Sequence, residues 1–167
     1  MEDLREQIQN QDITFSGNKT IWTITLNKEM LFNETSVKSM YFIKQNAKEP
    51  VSSDANVILD DDRNLYNIYM ENALQELKVA LARRIDCNDN SAVIDDANTF
   101  AVNLIMGDNH DGNILIPLNV ACKEFVIKKT LEQWYNIDFG SEMEKSKIVH
   151  LLQYRRKSVA RRVRPLL

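Results

Sequence analysis

Residues 62–84 read DRNLYNIYMENALQELKVALARR, a run of 23 residues with neither glycine nor proline. Ala, Leu, Glu, Lys and Met fill its centre, and all of them favour helix. As a helix it would extend ~35 Å at 1.5 Å per residue. Asp60, Asp61 and Asp62 stand where the helix dipole favours negative charge, and Arg83 and Arg84 lie at the opposite end. At helical spacing Leu65, Ile68, Tyr69, Asn72 and Glu76 form one line, and Tyr66, Met70, Ala73, Leu77 and Leu81 form a second, almost wholly apolar one. A surface helix buries a single stripe, so neighbours on more than one side are predicted and the segment reads as the central helix of the core. Leu65, Tyr69, Leu77 and Leu81 are its expected core residues.

Upstream, Thr20–Leu26 (TIWTITL) sets Trp22, Ile24 and Leu26 against Thr23 and Thr25, a strand pattern in β-branched and aromatic residues. Asn27 is placed to cap a helix over Lys28–Gln45 with Met30, Val37, Met40 and Tyr41 inward. A linker follows at 47–56. Downstream, CNDNSAVIDDAN (87–98) is a polar, acidic loop. Phe100, Val102, Leu104 and Met106 then alternate with polar or small residues, and the turn GDNHDGN leads to Ile114–Ile116, which predicts a β-hairpin. Pro117 suits the first turn of a helix to about Asn136, with Phe125, Leu131 and Trp134 among its core residues. Ser141 and Glu144 fit a capping box opening a last helix to about Arg164.

The expected fold is therefore mainly α (α+β), about four helices with a hairpin and an N-terminal strand. Residues 1–19 form an arm, 20–144 a body, and 145–167 a basic helix and tail. A chain this helical has little sheet of its own, so Trp22, Ile24, Leu26, Phe100, Val102, Leu104, Ile114 and Ile116 are expected in strands that pair between subunits.

At 167 residues, 27% charged and 8% aromatic, the composition is that of one globular domain with a real core. No apolar run approaches the ~20 residues that span a bilayer, so no membrane partner is expected. MEDLREQIQNQ lacks the basic and apolar regions of a signal peptide, which predicts synthesis and retention in a cytoplasm. Cys87 and Cys122 have neither CxxC nor zinc spacing and read as free thiols. The net charge of −3 conceals a split: Lys145, Lys147, Arg155, Arg156, Lys157, Arg161, Arg162 and Arg164 crowd the last 23 residues, which hold no acid. Removing these eight from 21 basic and 24 acidic residues leaves 13 and 24, a charge of −11 for residues 1–144.

Nothing in the sequence points to catalysis, a metal or a cofactor. Asp86, Asn88 and Asn90 match the first, third and fifth positions of a calcium loop, but Ser91 stands where glycine is needed and Ala97 where the bidentate glutamate belongs. The turn 108–111 (DNHD) gathers metal-ligand types that turn chemistry explains as well. Neither His110 nor His150 has a partner in a hydrolase motif. The basic tail lacks a DNA-reading motif and an aromatic platform, which favours contact with an acidic protein surface over nucleic acid.

The order of these parts resembles a known family. The strand TIWTITL, the helix LFNETSVKSMYFIK, the long helix opened by DDDRNLYNIYMENALQELKVALARRI, the strand pair AVNLIMGDNHDGNILIPL, and the pieces KKTLEQWYN and QYRRK carry the likeness. It is to head–tail connector, or neck-ring, proteins of tailed phages of gut Bacteroidetes, crAss-like phages and related prophages included. The likeness spans about residues 20–160; residues 1–19 have no counterpart in it, and the linker at 46–59 and the acidic loop at 86–97 differ from the family, which leaves their roles open. It implies a structural virion protein, made in the bacterial cytoplasm and placed in the virion neck. The subunit would join copies of itself in a closed ring, twelve-fold as the family implies. It would contact the portal and further neck or tail proteins, with genomic DNA passing through the channel. Arg155, Arg156, Lys157, Arg161, Arg162 and Arg164 would then contact a neighbouring subunit or the portal. The alternatives from other classes are a DNA-binding accessory protein using that tail, and a tail-completion or terminator subunit.

Overall fold

Alternating β-branched and aromatic residues build the sheet. In a computed structural model that describes residues 13–16, 19–45, 56–107 and 110–154, TIWTITL lies within β2 (Lys19–Asn27) and TFAVNLIM forms β4 (Thr99–Met106). Two short strands, β1 (Ile13–Ser16) and β3 (Val93–Asp95), flank them in the order β1-β2-β4-β3, and every neighbour is antiparallel. β2 and β4 pair from Thr20 opposite Met106 to Asn27 opposite Thr99. Trp22, Ile24, Leu26, Phe100, Val102, Leu104 and Met106 are buried on one face. The other face is more polar and is bridged by the Thr23 hydroxyl donating to Asn103 Oδ1 at 2.9 Å.

Among the described residues four helices complete a mainly helical α+β fold: α1 (Lys28–Gln45), α2 (Arg63–Leu81), α3 (Leu115–Tyr135) and α4 (Ser141–Gln153). Asn27 caps α1, its Oδ1 accepting the Met30 amide at 3.0 Å. Short 3-10 turns at Asp60–Asp62 and Ala82–Arg84 extend α2 at both ends. The central helix is α3. It touches α1, α2, α4 and β2, and buries Leu118, Ala121, Cys122, Phe125, Val126, Ile127, Thr130 and Leu131 among others. α2 instead buries one broad stripe: Tyr66, Met70, Ala73, Leu74, Leu77 and Leu81. Leu65 is 46% exposed and Ile68 58%, so Leu65 is not a core residue. The line they share also carries Asn72 and Glu76, which hydrate more cheaply than they bury. Tyr69 and Trp134 are half-buried and meet edge to face, centroids 6.0 Å apart.

Three further expectations are corrected. First, Ile114 lies in a 3-10 turn (Gly112–Ile114) and Ile116 in α3, so neither is in a strand and no hairpin crosses 107–113. Proline needs no amide partner in a helix's first turn, so α3 begins before Pro117 and takes up the short apolar run. The hairpin lies on the other side of β4: β3 rises from the acidic loop and turns at Asp96, whose Oδ1 accepts the amides of Asn98 and Thr99 at 2.8 Å each.

Second, the chain builds a four-stranded sheet of its own, and Trp22, Ile24, Leu26, Phe100, Val102 and Leu104 turn their side chains into its own core rather than away from it. β1 covers β2 only along Lys19–Trp22 and β3 covers β4 along Phe100–Val102, so among the described residues the outer backbone of β2 beyond Trp22 has no strand partner.

Third, Ser141 and Glu144 make no capping box. Gly140, at φ +89, occupies the N-cap in a left-handed conformation that suits glycine. Glu132 caps α4 from α3, accepting the amides of Phe139 and Ser141 (3.1 and 3.0 Å) and the Ser141 hydroxyl (2.5 Å). α4 ends at Gln153, and the predicted continuation to Arg164 lies outside the described residues, as do the linker 46–55 and residues 1–12.

Candidate interaction surfaces

A helix that buries polar residues must satisfy them locally, and α1 does so. Its inward side is Leu31, Phe32, Thr35 and Ser39. The Thr35 hydroxyl donates to the Leu31 carbonyl at 2.6 Å and that of Ser39 to the Ser36 carbonyl at 2.7 Å, which removes the cost of burying them. The residues expected inward face out: Met30 is 57% exposed, Val37 49%, Met40 44% and Tyr41 62%. Met30, Val37 and Tyr41 fall on one line of the helix, since 3.6 residues make a turn. α1 thus carries two apolar faces, and its own fold covers only one.

Beside this stripe the helices are tied by ions. Lys38 reaches Glu124 at 2.5 Å and Lys123 reaches Glu34 at 3.3 Å, joining α1 to α3. A shallow groove of about 250 Å³ lies where Met30 meets Val120 of α3. A larger one, about 570 Å³, runs between α3 and α4 along Ile116, Pro117, Val120, Ala121 and Leu151, with Glu124, Glu144, Lys147 and His150 also lining it. Glu144 is 5% exposed; burial opposes its charge, but Lys128 at 2.8 Å and Lys147 at 3.3 Å outweigh that and hold its carboxyl below the usual range. A third groove, about 400 Å³, separates α2 from α4 and carries Arg83 and Arg84.

A polar cleft of about 470 Å³ opens where α1, α2 and the β3–β4 turn converge. At its floor Lys28 is only 8% exposed and gives its ammonium to Glu71 at 2.6 Å and to Asp95. Burial alone would lower its pKa; the Asp95 and Glu71 hydrogen bonds and charges outweigh that and raise it. An ammonium so held cannot act as nucleophile or base near neutrality. The cleft is therefore a clamp. At its rim Arg63 forks onto both Glu29 oxygens at 2.8 Å, reaches Asp60 at 2.9 Å, and lies 4.1 Å over the Phe32 ring.

In the loop resembling a calcium site, Asp86 Oδ1 accepts the Asn88 amide and Asp89 Oδ1 accepts from Ser91, so both carboxylates make local turns. Among the described residues no group of three His, Cys, Asp or Glu could hold a metal ion, and no helix is long and apolar enough to cross a membrane. His110 packs on Trp22, centroids 6.2 Å apart, and its Nδ1 donates to the Tyr154 carbonyl at 2.8 Å. That contact fixes the point where the chain leaves α4. Arg155, Arg156, Lys157, Arg161, Arg162 and Arg164 lie beyond it, outside the described residues.

Sequence reasoning identified the α1 apolar line but put it inside. Thr35 and Ser39 were the available signal, because both can return a hydroxyl to their own helix. Lys28 was missed as a buried charge, since nothing near it in sequence announces Glu71 or Asp95. Compared with protein families, curated proteins and solved structures, the chain matches none.

Proposed function

We propose that this chain is a structural subunit that assembles with copies of itself into a closed ring in the neck of a tailed phage, between portal and tail. The observation that carries the reading is the outer face of α1: Met30, Val37, Met40 and Tyr41 are exposed on one side of the helix, and large apolar groups grouped on one surface mark contact sites. The charge split supports it, because a body of −11 offers an acidic surface to each basic tail when copies sit side by side. The resemblance to neck-ring proteins supplies the particular assembly, its twelve-fold copy number, the portal and tail partners and the virion location. The role is mechanical and not enzymatic.

Electron microscopy of the purified full chain tests it. Closed rings with a central channel are expected, and an antibody to the chain should label the virion neck. A strictly monomeric protein at micromolar concentration in light scattering overturns the reading. Binding to random DNA that weakens steeply with salt, without rings, would replace it by the DNA-binding alternative.

A further inference from the structure

We propose that residues 155–167 of a neighbouring copy dock in the groove between α3 and α4. The proposal rests on the self-assembly reading and names the surface that receives the tail. Those residues, RRKSVARRVRPLL following Tyr154, hold six basic groups and no acid, with Val159 and Val163 four positions apart in the sequence. A segment that is both cationic and apolar needs a floor of apolar side chains and a rim that does not repel it.

Among the described residues two grooves that border α4 differ in charge. The α2–α4 groove carries Arg83 and Arg84 with no acidic residue in its lining, so it repels such a segment. The α3–α4 groove has an apolar floor of Pro117, Val120 and Leu151, and is lined by the carboxylates of Glu124 and Glu144 as well as by Lys147 and His150, so it offers acidic groups that the other groove lacks. The lysine pairs use Oε2 of Glu124 and Oε1 of Glu144, one oxygen of each carboxylate. A guanidinium fork is suited to adding a second bond to a carboxylate already paired in this way.

The last described residue, Tyr154, is extended (φ −66, ψ 127) and its carbonyl accepts from His110 Nδ1 at the end of α4. Side-by-side copies, as the self-assembly reading has them, bring a neighbour's cationic tail to this groove, and occupation by the chain's own tail is an outcome the test separates.

Disulfide trapping in the full chain tests this. Cys87→Ser removes the exposed native thiol, while Cys122 is buried and stays. Val120→Cys, at a position 49% exposed, is paired with Val163→Cys, and the control replaces Val120→Cys by Val79→Cys in the arginine-lined groove. Mild oxidation should give a ladder in multiples of 19.4 kDa on a non-reducing gel for the Val120 pair and little for the control. Cross-linking only at monomer size places the chain's own tail there and overturns the proposal. Equal or stronger cross-linking from Val79, or none from Val120, overturns it too. Rings that persist in the microscope in that case leave the ring reading standing, whereas a chain monomeric in light scattering removes both.

Discussion

Replacing Glu71→Gln together with Asp95→Asn would remove both carboxylates bonded to the buried Lys28 ammonium and leave only the weaker charge of Asp96 acting on it. At 8% exposure it cannot recover its hydration without opening the junction of α1, α2 and β3. An ion pair broken in this way costs about 3–5 kcal/mol. At roughly 2–4 °C per kcal/mol for a chain of this size, melting should fall by about 6–20 °C. Lys28→Met removes the charge itself and leaves Glu71 and Asp95 with side chains 40% and 26% exposed, able to hydrate; its cost should stay under about 2 kcal/mol. The two variants also differ in sign against pH. In the native chain the folded pKa of Lys28 is raised above the ordinary lysine value of 10.5, so its stabilisation is full below pH 10.5 and is lost as pH rises through the raised value. In the double variant burial is opposed only by the weaker charge of Asp96, and the folded pKa should fall below the unfolded one. Its stability should therefore improve as pH climbs towards that of free lysine. Circular dichroism melts at neutral, mildly alkaline and strongly alkaline pH read both effects. A double variant that melts with the native chain and shows the same alkaline slope would refute the clamp.

Leu77→Ala or Phe125→Ala, each at a fully buried site, should destabilise by about 2–5 kcal/mol in denaturant titration, whereas Leu65→Ala should cost no more than about 0.5 kcal/mol. An equal loss at Leu65 would place the wrong face of α2 in the core. The Tyr66 hydroxyl is buried with no hydrogen bond of good geometry, while the Thr35 hydroxyl that acts on it donates to Leu31 and keeps lone pairs able to accept from it. Tyr66→Phe should therefore change stability by no more than about 1 kcal/mol, and a larger loss would mean that a full Tyr66–Thr35 hydrogen bond forms. A thiol reagent should titrate Cys87 at once and Cys122 only on unfolding, because burial pushes the Cys122 thiol up. Fast reaction of both would show that α3 is not the enclosed helix.

The long elements were legible because periodicity marks them. The Lys28–Gln45 helix has the bounds expected, the strands at 20–26 and 100–106 each extend by a residue or two, and the helix through Pro117 ends at Tyr135. What escaped was set by distance or by short length. β3 is three residues long, and its place is decided by β4, so VID inside an acidic stretch looked like loop. Which face of α1 turns inward depended on Thr35 and Ser39 being satisfied within the helix. An apolar count favoured the opposite side, since Met30, Val37, Met40 and Tyr41 are larger. The docking of the tail was legible only as charge: the sequence places six basic residues past Tyr154, and the grooves on either side of α4 came from the fold.

The register of the sheet also bears on how the chain reaches this state. β1 with β2, and β3 with β4, are hairpins closed by few residues, so each can form early from nearby chain. The seam between β2 and β4 is different: Trp22 lies opposite Leu104, and both α1 and α2 must be looped out before it closes. Closing a long loop costs entropy before the seam returns any contact, so joining the two hairpins should limit the folding rate. Stopped-flow refolding can show this. Ile24→Val and Val102→Ala should slow refolding in proportion to the stability they remove, whereas Val93→Ala in β3 should mainly speed unfolding. The reverse pattern would mean that the seam closes after the barrier, on a core already assembled around α3.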